Sequence, residues 1–393
     1  MSSYGLGVRT PPTIVVDTNA AAIDACSKNI PNMEILFTPG TYANLVLNVN
    51  TPGVKLKPIT PGTVTFSGNS KIYLNAPWQS VSGIFFDTIT PAPSVSMRSN
   101  FCYCSNNKFN KCGDAANSTS AVVQMREGAS YNYVRNNLFS GTKSSTIVMS
   151  LAENLPVGYG NVIERNIFED TLYTGLNGFE AVQIGQTTWA NDLNTGVRIS
   201  ENVFNGTDAE DEVISFKSSS NVLNKNIFVN MASGVASVRR GYNNKVLNNY
   251  FANMALALKI FGSGHIVSGN SFINNTYGIA LLDGDTNHVA PNSSIISNNT
   301  FDLNGTNFRV TGSSSRAALE LQPFGNIITN NMFDGAIWSD RYSTSYNGDT
   351  TDTAFSEISL NSFGNPSGTI PTNVITSGLA YIGLPLWAIG PNW

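Results

Sequence analysis

The sequence predicts an all-β fold, a single-stranded right-handed parallel β-helix with an N-terminal capping helix. Short β-branched or aromatic runs such as Val134 to Phe139 and Val246 to Phe251 are bounded by Asn, Gly and Ser, with little helical periodicity between them. An Asn-x-Phe triplet also recurs at steps of 21 to 36 residues, a period typical of stacked coils. We expect the asparagines to stack along a turn and the phenylalanines inside the coils: Asn107/Phe109, Asn137/Phe139, Asn166/Phe168, Asn202/Phe204, Asn226/Phe228, Asn249/Phe251, Asn270/Phe272, Asn299/Phe301, Asn331/Phe333 and Asn361/Phe363.

The chain begins with a short helical pattern followed by a strand. Residues 17–30 carry apolar residues at helical spacing, and Asp17 or Thr18 is available as the N-cap. A helix at this place would cover the open end of the coil stack, where unpaired backbone groups otherwise invite aggregation. Glu34 to Phe37 then has the pattern of a first strand.

The repeat predicts one elongated domain, residues 1–393, although this length alone would also allow two domains. We expect coils over about 45–363. Residues 366–393 are rich in Pro, Gly and apolar side chains and are expected to close or pack along the far end. The longest step between phenylalanines contains residues 186–194, which have the composition of an inserted loop. Loops on one face of a solenoid commonly build the binding groove.

Composition excludes some partners and constrains the compartment. Charged residues make up 12% of the chain and the net charge is −4, which excludes a globally basic nucleic-acid binder. The apolar stretch Ile375 to Ile389 is too short and too interrupted by Gly and Pro to span a bilayer. We therefore expect no nucleic-acid partner, no membrane partner and a monomer. Met1 to Tyr4 lack the pattern of a signal peptide, so a secreted protein is expected here in mature or recombinant form.

The four cysteines allow two interpretations. They are either small buried hydrophobes stacked in the core or the partners of a disulfide that closes the loop near Cys112. Metal binding by thiolates is disfavoured, because no histidine or second cysteine pair lies near them in the sequence. The residues are Cys26, Cys102, Cys104 and Cys112.

Charged residues are scarce, yet several fall at similar positions in successive coils. Counted from the preceding phenylalanine, Glu210 and Glu212 fall at 6 and 8, Arg239 at 11 and Lys217 at 13. Because neighbouring strands lie about 4.8 Å apart, residues on successive coils can share one site. The same region also contains Asn177, Glu180, Arg240 and Lys259.

The acidic residues of this region have two interpretations. Glu210 and Glu212 share one face of a strand, and Asn177 lies about one coil earlier. Two carboxylates and an amide oxygen make a hard site suited to Ca²⁺, whereas the alternative is a solvated acidic turn that binds nothing. Arg239 and Arg240 could simply form ion pairs with these acids.

Lys217 lies five residues after Glu212 and so has the opposite strand parity. It can join the acidic residues only if the strand bends between them.

Other chemistries have less support. Only His265 and His288 are available for a Ser-His-Asp triad, and the pattern around His265 is more typical of a turn residue bonded to backbone. A glycosidase general acid is disfavoured, since the neighbouring bases would lower the carboxyl pKa values.

The residues of this region resemble polysaccharide lyase family 6, which holds alginate lyases and chondroitinase B. Residues 210–219, Glu-Asp-Glu-Val-Ile-Ser-Phe-Lys-Ser-Ser, resemble the family signature Glu-x-Glu-Ile-Ile-Ser-x-Lys-Ser. On the next coil, Val238-Arg239-Arg240-Gly241 is similar to Leu-Arg-His-Gly. Upstream, Asn-Gly-Phe-Glu-Ala-Val-Gln-Ile-Gly at 177–185 is similar to Asn-Gly-Gly-Glu-x-Ile-Arg-x-Gly.

The resemblance implies roles for individual residues. Asn177, Glu210 and Glu212 would be Ca²⁺ ligands, Lys217 the general base and Arg239 the general acid. Two positions depart from the family pattern. Arg240 replaces the usual histidine and Gln183 replaces the usual arginine, and the resemblance implies that both positions line the substrate groove. The residues expected to contact substrate are Arg240, Lys259, Glu180, Gln183, His265, Arg309 and Tyr173.

The implied activity is that of a secreted alginate lyase acting by Ca²⁺-assisted β-elimination on an anionic polysaccharide, alginate or a related uronan. Three alternatives stay open. The chain could be a dermatan sulfate lyase like chondroitinase B, or a uronate C5-epimerase that shares the proton abstraction. It could also be a non-catalytic carbohydrate-binding β-helix.

Overall fold

The chain winds into a right-handed parallel β-helix, as the repeat predicted. In the computed structural model, the described residues are 10–115, 121–151, 155–171, 178–185, 193–208, 210–284, 288–311, 323–334, 338–340 and 355–363. Three parallel sheets, here named A, B and C, run the length of the molecule, and each coil contributes one strand to each sheet in turn. Within the described ranges, no helix is long and apolar enough to cross a bilayer.

Sheet A contains fourteen strands, which follow one another in chain order. Most are only three or four residues long, because a turn follows each strand. The strands are Thr13–Val16, Glu34–Phe37, Lys55–Pro58, Ser80–Ser82, Tyr103–Ser105, Tyr133–Arg135, Val162–Glu164, Arg198–Ser200, Val222–Asn224, Lys245–Leu247, Ile266–Ser268, Ile295–Ser297, Asn326–Thr329 and Phe355–Ser359.

Sheet B contains thirteen strands and carries the phenylalanine of each Asn-x-Phe triplet. Its strands are Gly40–Ala43, Val64–Ser67, Phe85–Asp87, Lys108–Asn110, Leu138–Ser140, Ile167–Thr171, Val203–Thr207, Ile227–Met231, Tyr250–Met254, Ser271–Ile273, Thr300–Asp302, Met332–Phe333 and Ser362–Phe363.

Sheet C contains twelve strands in the described residues. Glu212 and Lys259 lie within its strands, and Lys217 and Arg239 each directly follow one. Its strands are Val46–Val49, Lys71–Leu74, Val95–Met97, Ala121–Met125, Ser145–Met149, Val182–Ile184, Glu212–Phe216, Val235–Val238, Leu256–Ile260, Tyr277–Leu282, Thr306–Thr311 and Trp338–Asp340.

The helix Asn19–Ser27 packs at the start of the stack, inside the predicted range 17–30. Thr18 is its N-cap, since its side-chain oxygen accepts a hydrogen bond from the Ala21 amide at 3.2 Å. The parallel stack begins earlier than expected, however. The strand Thr13–Val16 precedes the helix and pairs with Glu34–Phe37, so the helix connects the first two strands of sheet A. Residues 366–393 lie outside the described residues.

The core contains a continuous stack of phenylalanine rings from sheet B, as predicted. From Phe86 to Phe333, successive ring centroids lie 4.6 to 5.0 Å apart, with nearly parallel planes. Such offset stacking adds to the free energy gained by burying each ring. The rung spacing of the sheet therefore sets the spacing of the rings.

The asparagines of the triplets form a buried ladder at the turn between sheets A and B, again as predicted. Asn226 is typical. Its side-chain oxygen accepts hydrogen bonds from the backbone amide of Asn202 at 3.0 Å and from the Asn202 side chain at 2.9 Å. Its own side-chain nitrogen donates to the carbonyl of Ile199 and to Asn249, at 3.0 Å each. Each turn is thereby tied to the coils on either side of it.

A second polar ladder lies just before the strands of sheet A, and His265 belongs to it. His265 Nδ1 accepts a hydrogen bond from the Asn244 amide at 3.1 Å, in the place where Asn244 Oδ1 accepts from Asn221 at 2.8 Å. Its other nitrogen, Nε2, lies 2.8 Å from the Phe261 carbonyl and so carries the proton. Burial lowers the His265 pKa to about 4. The prediction that His265 contacts substrate is therefore wrong, since both ring nitrogens are bonded to backbone in the interior.

The disulfide interpretation is also wrong. All four cysteines are buried free thiols. Cys102 and Cys112 donate weak hydrogen bonds to the carbonyls of Ala76 and Phe86, at 3.3 and 3.4 Å. Burial raises the pKa of Cys104 and that of Cys112 to about 12, so these thiols stay protonated and inert at neutral pH.

The ladder makes a direct prediction about stability. Asn226→Ala should lower the free energy of unfolding by about 2–4 kcal/mol, because it leaves the buried amide of Asn202 and carbonyl of Ile199 without partners. Guanidinium unfolding followed by circular dichroism measures the loss. The matched control is Asn224→Ala, whose side chain makes only an exposed contact with Asn248, and its effect should stay within about 0.5 kcal/mol. Equal effects of the two substitutions would contradict the role of the ladder.

Candidate active site on sheet C

A β-bulge in the strand Glu212–Phe216 brings the charged residues onto one face. The register with the next strand shifts between Glu212 and Ile214, so Val213 and Ile214 both lie in the core. The bulge reverses the parity of the strand, and Glu212 and Lys217 both face outward. This is the bend that the sequence required for Lys217 to join the acidic residues.

Lys217 and Arg239 occupy the same position on adjacent coils. Each directly follows a sheet C strand, and the Arg239 amide donates to the Phe216 carbonyl at 3.0 Å, one residue before Lys217. Ser215 and Ser237 lie two residues before Lys217 and Arg239. They pair with each other and with Gln183 and Lys259 on the neighbouring coils, so these four residues form a second row along the same face. The predicted catalytic pair therefore lies on neighbouring rungs of one face.

Three buried carboxylates lie at the centre of this face. Glu180, Glu210 and Glu212 each offer an oxygen, and these oxygens lie within 4.8 Å of one another. Glu210 Oε2 accepts hydrogen bonds from the amides of Gly178 and Phe179, the latter at 2.8 Å. Burial and then the charge of Glu180 nevertheless raise the Glu210 pKa to about 7. Burial, together with the repulsion between Glu210 and Glu180, thus outweighs the two backbone hydrogen bonds.

Glu212 has the opposite electrostatic environment. Burial alone would raise its pKa, but the charges of Lys259 and Arg239 outweigh burial and hold it at about 2. Arg239 donates to Glu212 Oε2 at 3.2 Å. Lys259 Nζ lies 2.6 Å from Glu212 Oε1, a close ion contact that lacks hydrogen-bond geometry. Glu212 is therefore ionised at neutral pH and fixes the positions of both cations.

Glu180 connects Lys217 to the acidic cluster. Its Oε1 accepts hydrogen bonds from Lys217 Nζ at 3.2 Å and from Gln183 Nε2 at 2.7 Å. Its other oxygen, Oε2, is buried and has no hydrogen-bond partner. A carboxylate oxygen buried without a hydrogen-bond partner is costly, so Oε2 is available to bind a cation.

The carboxylate oxygens of Glu180, Glu210 and Glu212 suit a hard divalent cation. Three carboxylates converge, one oxygen lacks a partner, and the oxygens are the ligand type that Ca²⁺ prefers. The sequence placed Glu180 among the substrate contacts, and in the structure it lies with Glu210 and Glu212. Asn177, the third predicted ligand, and Tyr173 both lie outside the described residues.

The sequence did not predict that His288 would join the site. His288 Nε2 lies 3.3 Å from Arg239 Nε and accepts its hydrogen bond, and its ring lies 4.8 Å from that of Phe261. His288 lies 49 residues from Arg239 and outside the Asn-x-Phe repeat, so residue spacing could not pair the two. The contacts with His288 and Glu212 together orient the guanidinium.

The other predicted substrate residues lie at different places. Lys259 and Gln183 lie beside the cluster, where each is bonded to one of its carboxylates. Arg240 is half-buried next to Arg239. Arg309 lies farther along the Lys259 row, two coils away, with its guanidinium carbon 4.8 Å from the centre of the Tyr277 ring.

The chain matches one protein family over most of its length. A family model described as chondroitinase B matches residues 16–319. The chain belongs to the chondroitinase B family. This confirms the resemblance to polysaccharide lyase family 6 seen in the sequence. A search of curated protein sequences finds no match to the chain.

Solved structures of family 6 lyases share the fold. A family 6 polysaccharide lyase from Pseudopedobacter saltans is 19% identical with a TM-score of 0.75, covering 92% of this chain and 94% of its own. A mannuronic acid-specific family 6 lyase from human gut microbiota is 18% identical with a TM-score of 0.73, covering 97% and 96%. A family 6 alginate lyase in complex with a trisaccharide is 16% identical with a TM-score of 0.69, covering 90% and 85%. Likeness at this level of identity shows a common fold.

The ion pairs of this family member make a second prediction about stability. Glu212→Gln should lower the free energy of unfolding by about 1–3 kcal/mol, because Lys259 and Arg239 lose their buried partner but remain partly exposed. Thermal unfolding at neutral pH measures the loss. The control Glu164→Gln removes a surface pair with Arg198 and should cost less than about 1 kcal/mol.

The pH dependence gives a further check on Glu212. Its depressed pKa adds stability above the unfolded value of about 4.3, and this contribution is lost as the pH falls toward about 2. The difference between wild type and Glu212→Gln should therefore shrink over that range. A difference that stays constant with pH would contradict the ion-pair account.

Proposed function

We propose that the chain is a secreted alginate lyase that cleaves mannuronate-containing stretches by Ca²⁺-assisted β-elimination. The observation that carries the proposal is that Lys217 and Arg239, on adjacent coils, both contact one buried cluster of three carboxylates. Family membership supports a polysaccharide lyase. The mannuronic acid-specific neighbour and the alginate lyase bound to a trisaccharide favour alginate as the substrate. A polymeric substrate favours action outside the cell.

The chemistry requires a base and a means of accommodating negative charge. The C5 hydrogen of a uronate is α to a carboxylate, whose charge resists formation of a carbanion. Ca²⁺ held by Glu180, Glu210 and Glu212 would supply Lewis-acid stabilisation to that carboxylate. Among the described residues, Lys217 is the only lysine that both contacts the carboxylate cluster and directly follows a sheet C strand, as Arg239 does. We assign it removal of the C5 proton.

Arg239 acts at the other side of the bond that breaks. Its guanidinium stays protonated at any working pH, so its main contribution is electrostatic. It stabilises the negative charge that develops and donates a hydrogen bond toward the departing 4-oxygen, which takes its proton from water. Glu212 and His288 hold the guanidinium from two directions, at 3.2 and 3.3 Å. The product carries a C4=C5 double bond.

A dermatan sulfate lyase is the second candidate. The family model that matches is that of chondroitinase B, and Arg240 lies beside Arg239 with a guanidinium that suits a sulfate group. Both candidates use the same proton abstraction. A panel of alginate, polymannuronate, polyguluronate and dermatan sulfate separates them by the rate at which each yields unsaturated product. Binding without product would favour a carbohydrate-binding module, and an altered mannuronate content without cleavage would favour an epimerase.

The base assignment predicts the effect of one substitution. Lys217→Ala should lower kcat on alginate by at least about 10²-fold, the contribution typical of a general base, while the circular dichroism spectrum stays that of the wild type. The ultraviolet absorbance of the unsaturated uronate measures the rate. Lys245→Ala, an exposed lysine on sheet A, should retain wild-type turnover. Near-normal kcat in Lys217→Ala would show that another group is the base.

The cation assignment predicts a change in stability that does not depend on catalysis. Protein treated with a chelator should melt at a lower temperature than protein with Ca²⁺, since a ligand at 100-fold its Kd stabilises by about 2.7 kcal/mol. Glu210→Gln should remove most of this shift, because it removes one of the three carboxylates. Glu164→Gln, on sheet A, should retain it. The same melting temperature with and without Ca²⁺ would contradict a metal site.

A further inference from the structure

The position occupied by Lys217 and Arg239 continues along the molecule toward the N-terminus. On eight successive coils, the residue that directly follows the sheet C strand donates its amide hydrogen bond to a carbonyl of the preceding coil, and these residues define one column. We name this the strand-end column. The residue before each member lies in the core, so each member faces outward. From the N-terminal side, the column contains Asn75, Arg98, Arg126, Ser150, Gly185, Lys217, Arg239 and Phe261.

Two arginines therefore lie in line with the catalytic pair. With rungs about 4.8 Å apart, Arg126 lies about 14 Å and Arg98 about 19 Å from the rung of Lys217. Both side chains are exposed. Between them and Lys217 the column contains Ser150 and Gly185, which are both buried and add no charge. A chain of sugars that runs along the helix axis from Lys217 would reach both guanidinium groups.

Arg98 is positioned by its neighbours in a way typical of a binding residue. Its guanidinium carbon lies 4.0 Å from the centre of the Tyr73 ring. Its Nε lies 3.4 Å from the Ser96 hydroxyl. Stacking on an aromatic ring fixes the plane of a guanidinium and leaves its outer nitrogens available to a planar carboxylate. No ion pair joins Arg98 to a carboxylate of the described residues.

Carboxylates lie beside several basic residues of sheet A, whereas few lie beside the two arginines. On sheet A, Lys55 and Lys57 pair with Glu34, and Arg198 pairs with Glu164. On sheet C, the outward residues before Gln183 include no carboxylate. Glu127, which follows Arg126, pairs with its Nε at 2.9 Å and leaves the terminal guanidinium nitrogens available. The outward residues concerned are Asn48, Tyr73, Ser96, Gln124, Val148, Asn50, Asn75, Arg98, Arg126 and Ser150.

We infer that Arg98 and Arg126 form distal subsites that bind the carboxylates of a long uronan chain, so that the enzyme favours polymer over short oligosaccharides. This inference rests on the proposed function, since it concerns the same substrate and the same face. Successive uronates in an extended chain advance by a distance comparable to the rung spacing. One carboxylate can therefore meet each arginine several sugars away from the bond that breaks.

The test compares a polymer with a substrate too short to reach the arginines. Arg98→Ala/Arg126→Ala should raise KM for polymeric alginate about five- to tenfold at low salt, with kcat unchanged, because two charge-assisted contacts are lost. The kcat/KM for a uronate trisaccharide should stay at the wild-type value, since at most two of its sugars lie on one side of the bond. Lys245→Ala should change neither quantity. The effect on the polymer should fade at high salt, because both guanidinium groups are exposed.

A binding measurement gives an independent reading. In the Lys217→Ala background, migration through a native gel that contains alginate should be retarded, and the two arginine substitutions should reduce that retardation while Lys245→Ala does not. An unchanged KM for polymer together with unchanged retardation would overturn the inference. So would an equal loss on polymer and trisaccharide, which would place the arginines' effect at the catalytic rungs. If the wild type yields no unsaturated product from any uronan, the proposed function fails, and the gel still decides whether the column binds the polymer.

Discussion

The register between successive coils is the constraint on which the rest of the structure depends. Each ladder asparagine accepts hydrogen bonds from the asparagine of one neighbouring coil and donates to the next, so the turns between sheets A and B from Asn107 to Asn361 share one hydrogen-bond pattern. A slip by one residue would move every outward side chain of a strand into the core. With the register fixed, residues far apart in sequence become neighbours at the rung spacing. Glu180 and Lys217, for example, are 37 residues apart.

The site depends on this register and on one local departure from it. The bulge between Glu212 and Ile214 brings Lys217 to the face that Glu212 already occupies. Three carboxylates then meet three cations, Lys217, Lys259 and Arg239, in one partly buried cluster. The balance is uneven, since the Glu210 pKa is raised to about 7 while that of Glu212 is lowered to about 2. Glu212 contacts two cationic side chains, Arg239 and Lys259, and still offers an oxygen to the cluster that it forms with Glu180 and Glu210.

The sequence predicted the features that repeat and missed those that do not. The Asn-x-Phe triplets predicted the ladder and the ring stack because each coil repeats the same hydrogen bonds and the same ring contact. The clustering of Glu210, Glu212, Lys217 and Arg239 followed from coil phase. His265 was misassigned, because an imidazole nitrogen replaces an amide oxygen in a ladder that the Asn-x-Phe pattern does not reveal. The place of Glu180 among the carboxylates and the contact of His288 with Arg239 depend on turn geometry, which residue spacing does not encode.

The central claim is that this face removes a proton from a uronate and eliminates the next sugar. The most direct test is the mass of the products formed from a defined alginate oligosaccharide. Elimination breaks the chain without adding water, so the masses of the two fragments should sum to the mass of the substrate. Fragments that together weigh one water more would show hydrolysis and contradict the account, whatever the rate of the reaction.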